Sequence, residues 1–260
     1  MKKFLTVLLL FIVSTSIALG DGLKKIEILG GWEKSDGSIV YGLKISLNEG
    51  WKTYWHTPGP FGFKPQFDFE GSLNISNLNV LWPSPKIFGS SSFETIGYEN
   101  EVILPIAIKA KVDSDPINLK IKGSIGICYD VCMPIEFEAQ SGLKTISKEI
   151  NTDLLAALAN LPLSPSDLGK KNARCSITFS PTGFKIGADI PYLEKASSSI
   201  FFSIMDYRSE ISIEQPKLYN PGKTLYAVGE WRDKINLKIN GDLITITQLD
   251  EGRVIEQKGC

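Results

Sequence analysis

Cys128 and Cys132 are separated by three residues in Gly126-Ile-Cys-Tyr-Asp-Val-Cys-Met-Pro134. Cysteines this close can form a disulfide, exchange with a partner's thiol or hold a soft metal. A disulfide needs Cα atoms about 4.4–6.8 Å apart. Four residues of straight strand would span about 13 Å. The segment is therefore helical, or the chain turns between the two cysteines. Apolar residues alternate before it (Ile117, Leu119, Ile121, Ile125, Ile127) and after it (Ile135, Phe137, Ala139, between Glu136, Glu138 and Gln140), which favours two strands and a turn. Asp130 suits that turn, and the cysteines would close the mouth of a β-hairpin. So small a ring removes little entropy from the unfolded chain and is a weak staple. That favours reversible thiol exchange, with a structural bridge as the bland alternative. No Lys, Arg or His adjoins either cysteine, and a close Asp130 would raise a thiol pKa. Such a pair suits an electron carrier that waits for a partner's reactive thiol.

Other residues could do different chemistry. With Met133 and His56, the two cysteines could hold Cu(I), a set that resembles the soft-metal site of Sco-type copper chaperones. Those have a helix after the motif, whereas Pro134 and an alternating strand follow here. His56, the only histidine, could serve as a base only if it reached Cys128 or Cys132. Its Pro/Gly-rich surroundings read instead as a loop between strands. Cys175 and Cys260 are either a structural bridge around a long loop or two separate thiols. The aromatic runs Trp51-Lys-Thr-Tyr-Trp55 and Phe61-Gly-Phe63 are read as core and loop packing rather than a carbohydrate platform. No metal ligand is assigned and no cofactor is expected.

Both the compartment and the size fit exchange between proteins. Met1-Lys2-Lys3, the apolar run from Phe4 to Val13 and Ala18-Leu-Gly20 form an export signal, with cleavage expected after Gly20. It would deliver the cysteines to an oxidising compartment. The apolar core is short for a bilayer span and no later stretch is long enough, so a mature chain without a transmembrane segment is expected. Removing Lys2 and Lys3 takes the net charge from −1 to −3. With no basic block, nucleic acid is not an expected partner. About 240 mature residues suffice for two modest domains, and four cysteines are too few for a disulfide scaffold.

The elements that must position the cysteines are mainly strands. Ile39, Tyr41, Leu43, Ile45 and Leu47 have period two after the Asp36-Gly37 turn signal, and Val102 to Ala110 is a further apolar run. Asn151-Thr152-Asp153 starts a short Ala/Leu-rich helix, which Pro162 and Pro165 end. Short strands then resume at 175–179, 184–190, 200–205, 211–214, 224–229, 235–239 and 243–248, with Asn240-Gly241 as a tight hairpin joining the last two. The expected fold is all-β: two tandem immunoglobulin-like β-sandwich domains joined by a short helical linker. The expected divisions are a signal peptide at 1–20, a first domain at 21–146, a linker at 147–171 and a second domain at 172–260.

Four segments in order carry a family resemblance: Gly50-Trp-Lys-Thr-Tyr-Trp-His-Thr-Pro-Gly59, Val80-Leu-Trp-Pro-Ser-Pro85, Gly97-Tyr-Glu-Asn-Glu-Val-Ile-Leu-Pro105 and Cys128-x-x-x-Cys132-x-Pro134. Over about residues 22–145 the chain resembles the N-terminal periplasmic domain family of the thiol:disulfide interchange protein DsbD, in its ScsB-like branch. That resemblance implies a periplasmic immunoglobulin-like domain whose cysteine pair relays electrons. The implied partners are a membrane electron transporter of the DsbD/CcdA type and periplasmic thioredoxin-fold proteins, including cytochrome c maturation factors. It implies Cys128 and Cys132 as the redox pair, with Cys132 bonding to partners. It also implies an aromatic cap in Phe88-Gly-Ser-Ser-Ser-Phe-Glu-Thr-Ile-Gly97, with Phe93 as the cap residue and Phe88 as the alternative. Tyr54 matches a position beside the pair. The transmembrane and C-terminal thioredoxin domains of a full reductase have no counterpart in this sequence.

Overall fold

The computed structural model describes residues 22–59, 62–89, 95–142, 149–192, 199–205, 210–214, 217–219, 225–231, 239–250 and 253–260. Its first ten strands are β1 (Leu23–Glu33), β2 (Ile39–Leu47), β3 (Lys52–Tyr54), β4 (Gln66–Asp68), β5 (Ile75–Val80), β6 (Lys86–Phe88), β7 (Thr95–Glu99), β8 (Glu101–Ala110), β9 (Lys120–Cys128) and β10 (Cys132–Gln140). After α1 (Thr152–Ala159) come β11 (Arg174–Ser180), β12 (Gly183–Ile190), β13 (Ser199–Met205), β14 (Glu210–Glu214), β15 (Lys217–Tyr219), β16 (Leu225–Trp231), β17 (Ile244–Asp250) and β18 (Arg253–Lys258). The protein is all-β, in antiparallel sheets. Among the described residues, no helix is long and apolar enough to cross a membrane.

Period two in the sequence becomes one buried face in the first pair of sheets. One sheet runs β1-β2-β8-β5, and the other runs β10-β9-β3-β7-β6 with β4 also paired to β9. Ile39, Tyr41, Leu43, Ile45 and Leu47 of β2 all point inward, with Leu104, Ile106 and Ile108 of β8. The other sheet contributes Ile121, Ile125 and Ile127, and Trp55 fills the core from just beyond β3. Each such side chain contributes about 1.5–3 kcal/mol by leaving water. This core holds β9 and β3, the strands that position the cysteine pair, in fixed register.

The helix is packed on the first sandwich rather than free. Asn151 caps it, its side chain accepting from Leu154 N at 3.0 Å. Leu154 is fully buried on the outer face of the first sheet among Trp32, Val40 and Ile103. Gly42 makes room, because a Cβ there would lie 3.0 Å from Leu154 Cδ1. Ser84 N donates to Asn160 O at the end of the helix. Leu163 then bonds the backbone of β18 on both sides, accepting from Glu256 and donating to Val254.

The second pair of sheets runs β11-β12-β16-β15 and β14-β13-β17-β18. Phe202, Ile204, Ile244, Ile246 and Ile255 line the core between them with Ile186, Ala188 and Ile190. The opposite face of the β13–β17–β18 sheet is also buried: Phe201, Leu249 and Val254 join the hydrophobic cluster of the first sandwich. A cleft of about 690 Å³ opens beside this contact, lined by His56, Trp82, Leu161, Asp242 and Glu256 among others.

One turn differs from its sequence signal. Asn240-Gly241 does not form a tight hairpin; residues Gly241–Leu243 make a 3-10 turn with Asn240 extended before it. Gly241 serves a close approach instead. A Cβ there would sit 2.1 Å from Cys260 O, and Cys260 N donates to Gly241 O. The strand expected at 235–239 falls, apart from Ile239, outside the described residues.

Candidate functional site

β9 and β10 pair without a register shift from Lys120↔Gln140 to Cys132↔Cys128. The two cysteines are thus directly opposed at the turn end of the hairpin. Tyr129, Asp130 and Val131 connect them, and Tyr129 N donates to Val131 O. The pair is disulfide-bonded with a Cα–Cα distance of 4.1 Å. The chain turns, as the spacing requires of a bonded pair between strands. The surroundings are unequal: Cys128 is 8% exposed, whereas Cys132 lies on the exposed side of β10. Beside them Tyr129 and Val131 are 58% and 70% exposed.

The neighbouring strand brings a hydroxyl to the sulfurs. β3 lies between β9 and β7, with Lys52 opposite Cys128 and Thr53 opposite Ile127. Thr53 Oγ1 donates to Gly126 O at 2.9 Å and ties the two strands together. Tyr54 therefore lies across Gly126, where a Cβ would come within 2.7 Å of its ring and 2.6 Å of Phe63 Cβ. Only a glycine leaves room for the ring to lie flat and deliver Tyr54 Oη to 2.8 Å from Cys128 Sγ and 3.1 Å from Cys132 Sγ. Burial pushes the Tyr54 phenol pKa up, so it is a protonated hydroxyl at neutral pH.

Charge and aromatic surface complete the site. Lys52 Nζ pairs with Glu99 at 3.4 Å, donates to Gly50 O and lies 5.4 Å over the Phe88 ring. Trp51 stacks on Tyr129 with ring centroids 6.0 Å apart. Gly50, at φ +76°, permits this contact, because a Cβ there would be 2.8 Å from the Tyr129 ring. The loop before β3 thereby braces the tip of the hairpin. Lys52, Trp51 and Gly126 were not singled out as site residues in the sequence. An alternation count carried from Tyr54 across to β9 would have placed Lys52 and Gly126 on the same face.

The remaining candidates lie as follows. Phe93 is outside the described residues, and Phe88 ends β6 beside Lys52. His56 Nδ1 is 3.0 Å from Thr57 Oγ1, and its ring packs on Trp55 and Trp82. Met133 packs against the first core, on the opposite side of β10 from exposed Cys132. Among the described residues, no three His, Cys, Asp or Glu side chains converge as a metal site would need. Cys175 and Cys260 are bonded, with Cα atoms 5.4 Å apart, joining β11 to the chain beyond β18. Gln257 supports this corner, accepting from Ala173 N and donating to Ala173 O and Gly259 O.

Residues 31–142, which include both hairpin cysteines, match the family model of the N-terminal domain of the thiol:disulfide interchange protein DsbD. Among solved structures, the N-terminal periplasmic domain of ScsB from Proteus mirabilis is similar over 94% of this chain and 96% of that one. The TM-score is 0.60 and the identity 22%, a likeness of fold. No curated protein matches the chain.

Proposed function

From the premise that residues 31–142 belong to the DsbD N-terminal family, we propose that this protein relays electrons in the periplasm through Cys128 and Cys132. A membrane electron transporter of the DsbD/CcdA type would be its source. Periplasmic thioredoxin-fold proteins, including those of cytochrome c maturation, would be its recipients. The observation that carries the reading is a disulfide at the turn end of an exposed hairpin, inside the family-matched region, with one cysteine accessible and the other covered. Exchange needs an in-line approach by a partner thiolate to one sulfur, and Cys132 offers it. Tyr54 and the cap segment bearing Phe93 would line the partner's approach. Residues 21–146 are taken as the redox domain, 147–171 as the linker and 172–260 as a second domain that orients partners. Cys175–Cys260 would be its structural bridge.

Trapping tests this reading. Full-length Cys128→Ser, its Cys132 first converted to the mixed disulfide with thionitrobenzoate, is mixed with a thioredoxin-fold protein whose active site carries a single thiol, which displaces thionitrobenzoate as the leaving thiolate. A disulfide-linked heterodimer through Cys132 is expected by mass spectrometry. No linkage through Cys132, with the protein folded, would end the relay reading.

A further inference from the structure

We propose that Tyr54 is a catalytic residue of this exchange: its hydroxyl holds the leaving sulfur, Cys128, and so directs partner attack to Cys132. The inference rests on the relay reading above and concerns the same disulfide.

The two sulfurs face different surroundings once the bond between them breaks. Cys132 lies on an exposed strand face, where water can solvate a thiolate. Cys128 is nearly covered, and a thiolate left there without a donor carries the full cost of desolvation. Tyr54 Oη supplies the donor. It lies nearer to Cys128 Sγ, at 2.8 Å, than to Cys132 Sγ, at 3.1 Å, and one phenolic proton serves one sulfur at a time. Burial keeps the phenol protonated through the range in which thiols titrate, near 8.5. The other charged groups nearby are Lys52 of β3, Glu99 of β7 and Asp130 of the turn. Lys52 Nζ is engaged by Glu99 and by Gly50 O, and Asp130 is exposed and carries the wrong sign. The arrangement is built from the backbone outward. The Thr53–Gly126 hydrogen bond fixes the height of β3 on β9, and the missing Cβ at Gly126 lets the ring reach across.

With a partner dithiol as reductant, the step balances as follows. The partner's thiolate attacks Cys132 Sγ and forms an intermolecular S–S bond. The Cys128–Cys132 bond breaks, and its electron pair goes to Cys128 Sγ, a thiolate that accepts the Tyr54 hydroxyl hydrogen bond. The partner's second thiol loses its proton to solvent and attacks the partner's own sulfur in the mixed disulfide. Cys132 leaves as a thiolate, and both cysteines of the pair take up protons from solvent. The partner dithiol has become a disulfide, and this chain's disulfide a dithiol.

The test is Tyr54→Phe in the full-length protein, which keeps the ring over Gly126 and removes only the hydroxyl. Dithiothreitol is the probe, with reduction followed from pH 6.5 to 9 and corrected for its thiolate fraction. A lost hydrogen bond to a charged sulfur slows reduction on the order of tenfold. The variant should also raise the Cys128 thiol pKa in the reduced protein while its melting temperature stays close to the parent's. A purely structural tyrosine would move the melting temperature and leave the thiol titration alone. Equal rates and an unchanged Cys128 titration in a folded variant overturn the proposal while leaving the relay reading standing. A parent protein that dithiothreitol cannot reduce while folded overturns both.

Discussion

At the residue scale, buried phenols divide between the site and the two cores. Tyr54 reaches the sulfurs, Tyr41 and Tyr98 pack in the first sandwich, and Tyr192 packs in the second. Burial raises the pKa of all four, because a phenolate would lose its hydration. A folded pKa above the unfolded value, about 10 for tyrosine, means the unfolded chain releases its protons first. The stability these groups contribute is whole below about pH 10 and falls as pH rises through their folded values. Denaturant midpoints measured from pH 8 to 12 should therefore be level at first and drop beyond about pH 10. A midpoint that holds to pH 12 would mean that these hydroxyls are not buried as described.

At the element scale, the strands with strong alternation were legible in the sequence. The β2 run Ile39–Leu47 has the bounds its period-two pattern indicates, and β8, β9 and β10 follow their apolar runs closely. The helix begins at its Asn151 signal. What the sequence did not show has physical reasons. β3, β4 and β6 are three residues long, too short to display a period. The segment around α1 looked like a tether because its contacts are long-range: Leu154 with Gly42 and Ile103, and Leu163 with β18. Gly241 looked like half of a hairpin turn but is small for the sake of Cys260. At the site, spacing required a helix or a turn of a bonded pair, and the flanking alternation favoured the turn. It could not show which one is covered, since that depends on β3 and its tyrosine. Nor could it show the brace between Trp51 and Tyr129, residues 78 positions apart in the chain.

At the scale of the whole molecule, the two disulfides close very different loops. Cys128–Cys132 spans a sequence separation of 4, and Cys175–Cys260 spans 85. Loop closure in the unfolded chain assigns about 2 kcal/mol to the first and about 4.5 kcal/mol to the second. The pair that would change state in each cycle is thus the one whose opening costs the fold less. Replacing Cys175 and Cys260 together by Ser should lower unfolding free energy by about 4 kcal/mol. Replacing Cys128 and Cys132 together should cost about half as much. Equilibrium urea unfolding of both double variants measures this, and the reverse order would contradict it. The buried contact of Phe201, Leu249 and Val254 with the first core packs the second sandwich against the first, as its proposed partner-orienting role requires.

The most direct measurement is the redox equilibrium of Cys128–Cys132 in the folded, metal-free protein. Thiol-trapping mass spectrometry across a glutathione series would count reduced and oxidised chains, with circular dichroism reporting the fold at each point. The expected result is a reversible, mid-range transition at Cys128 and Cys132 while Cys175–Cys260 stays bonded and the fold intact. A Cys128–Cys132 bond that opens only as the sheets unfold would contradict an electron relay and leave a structural bridge.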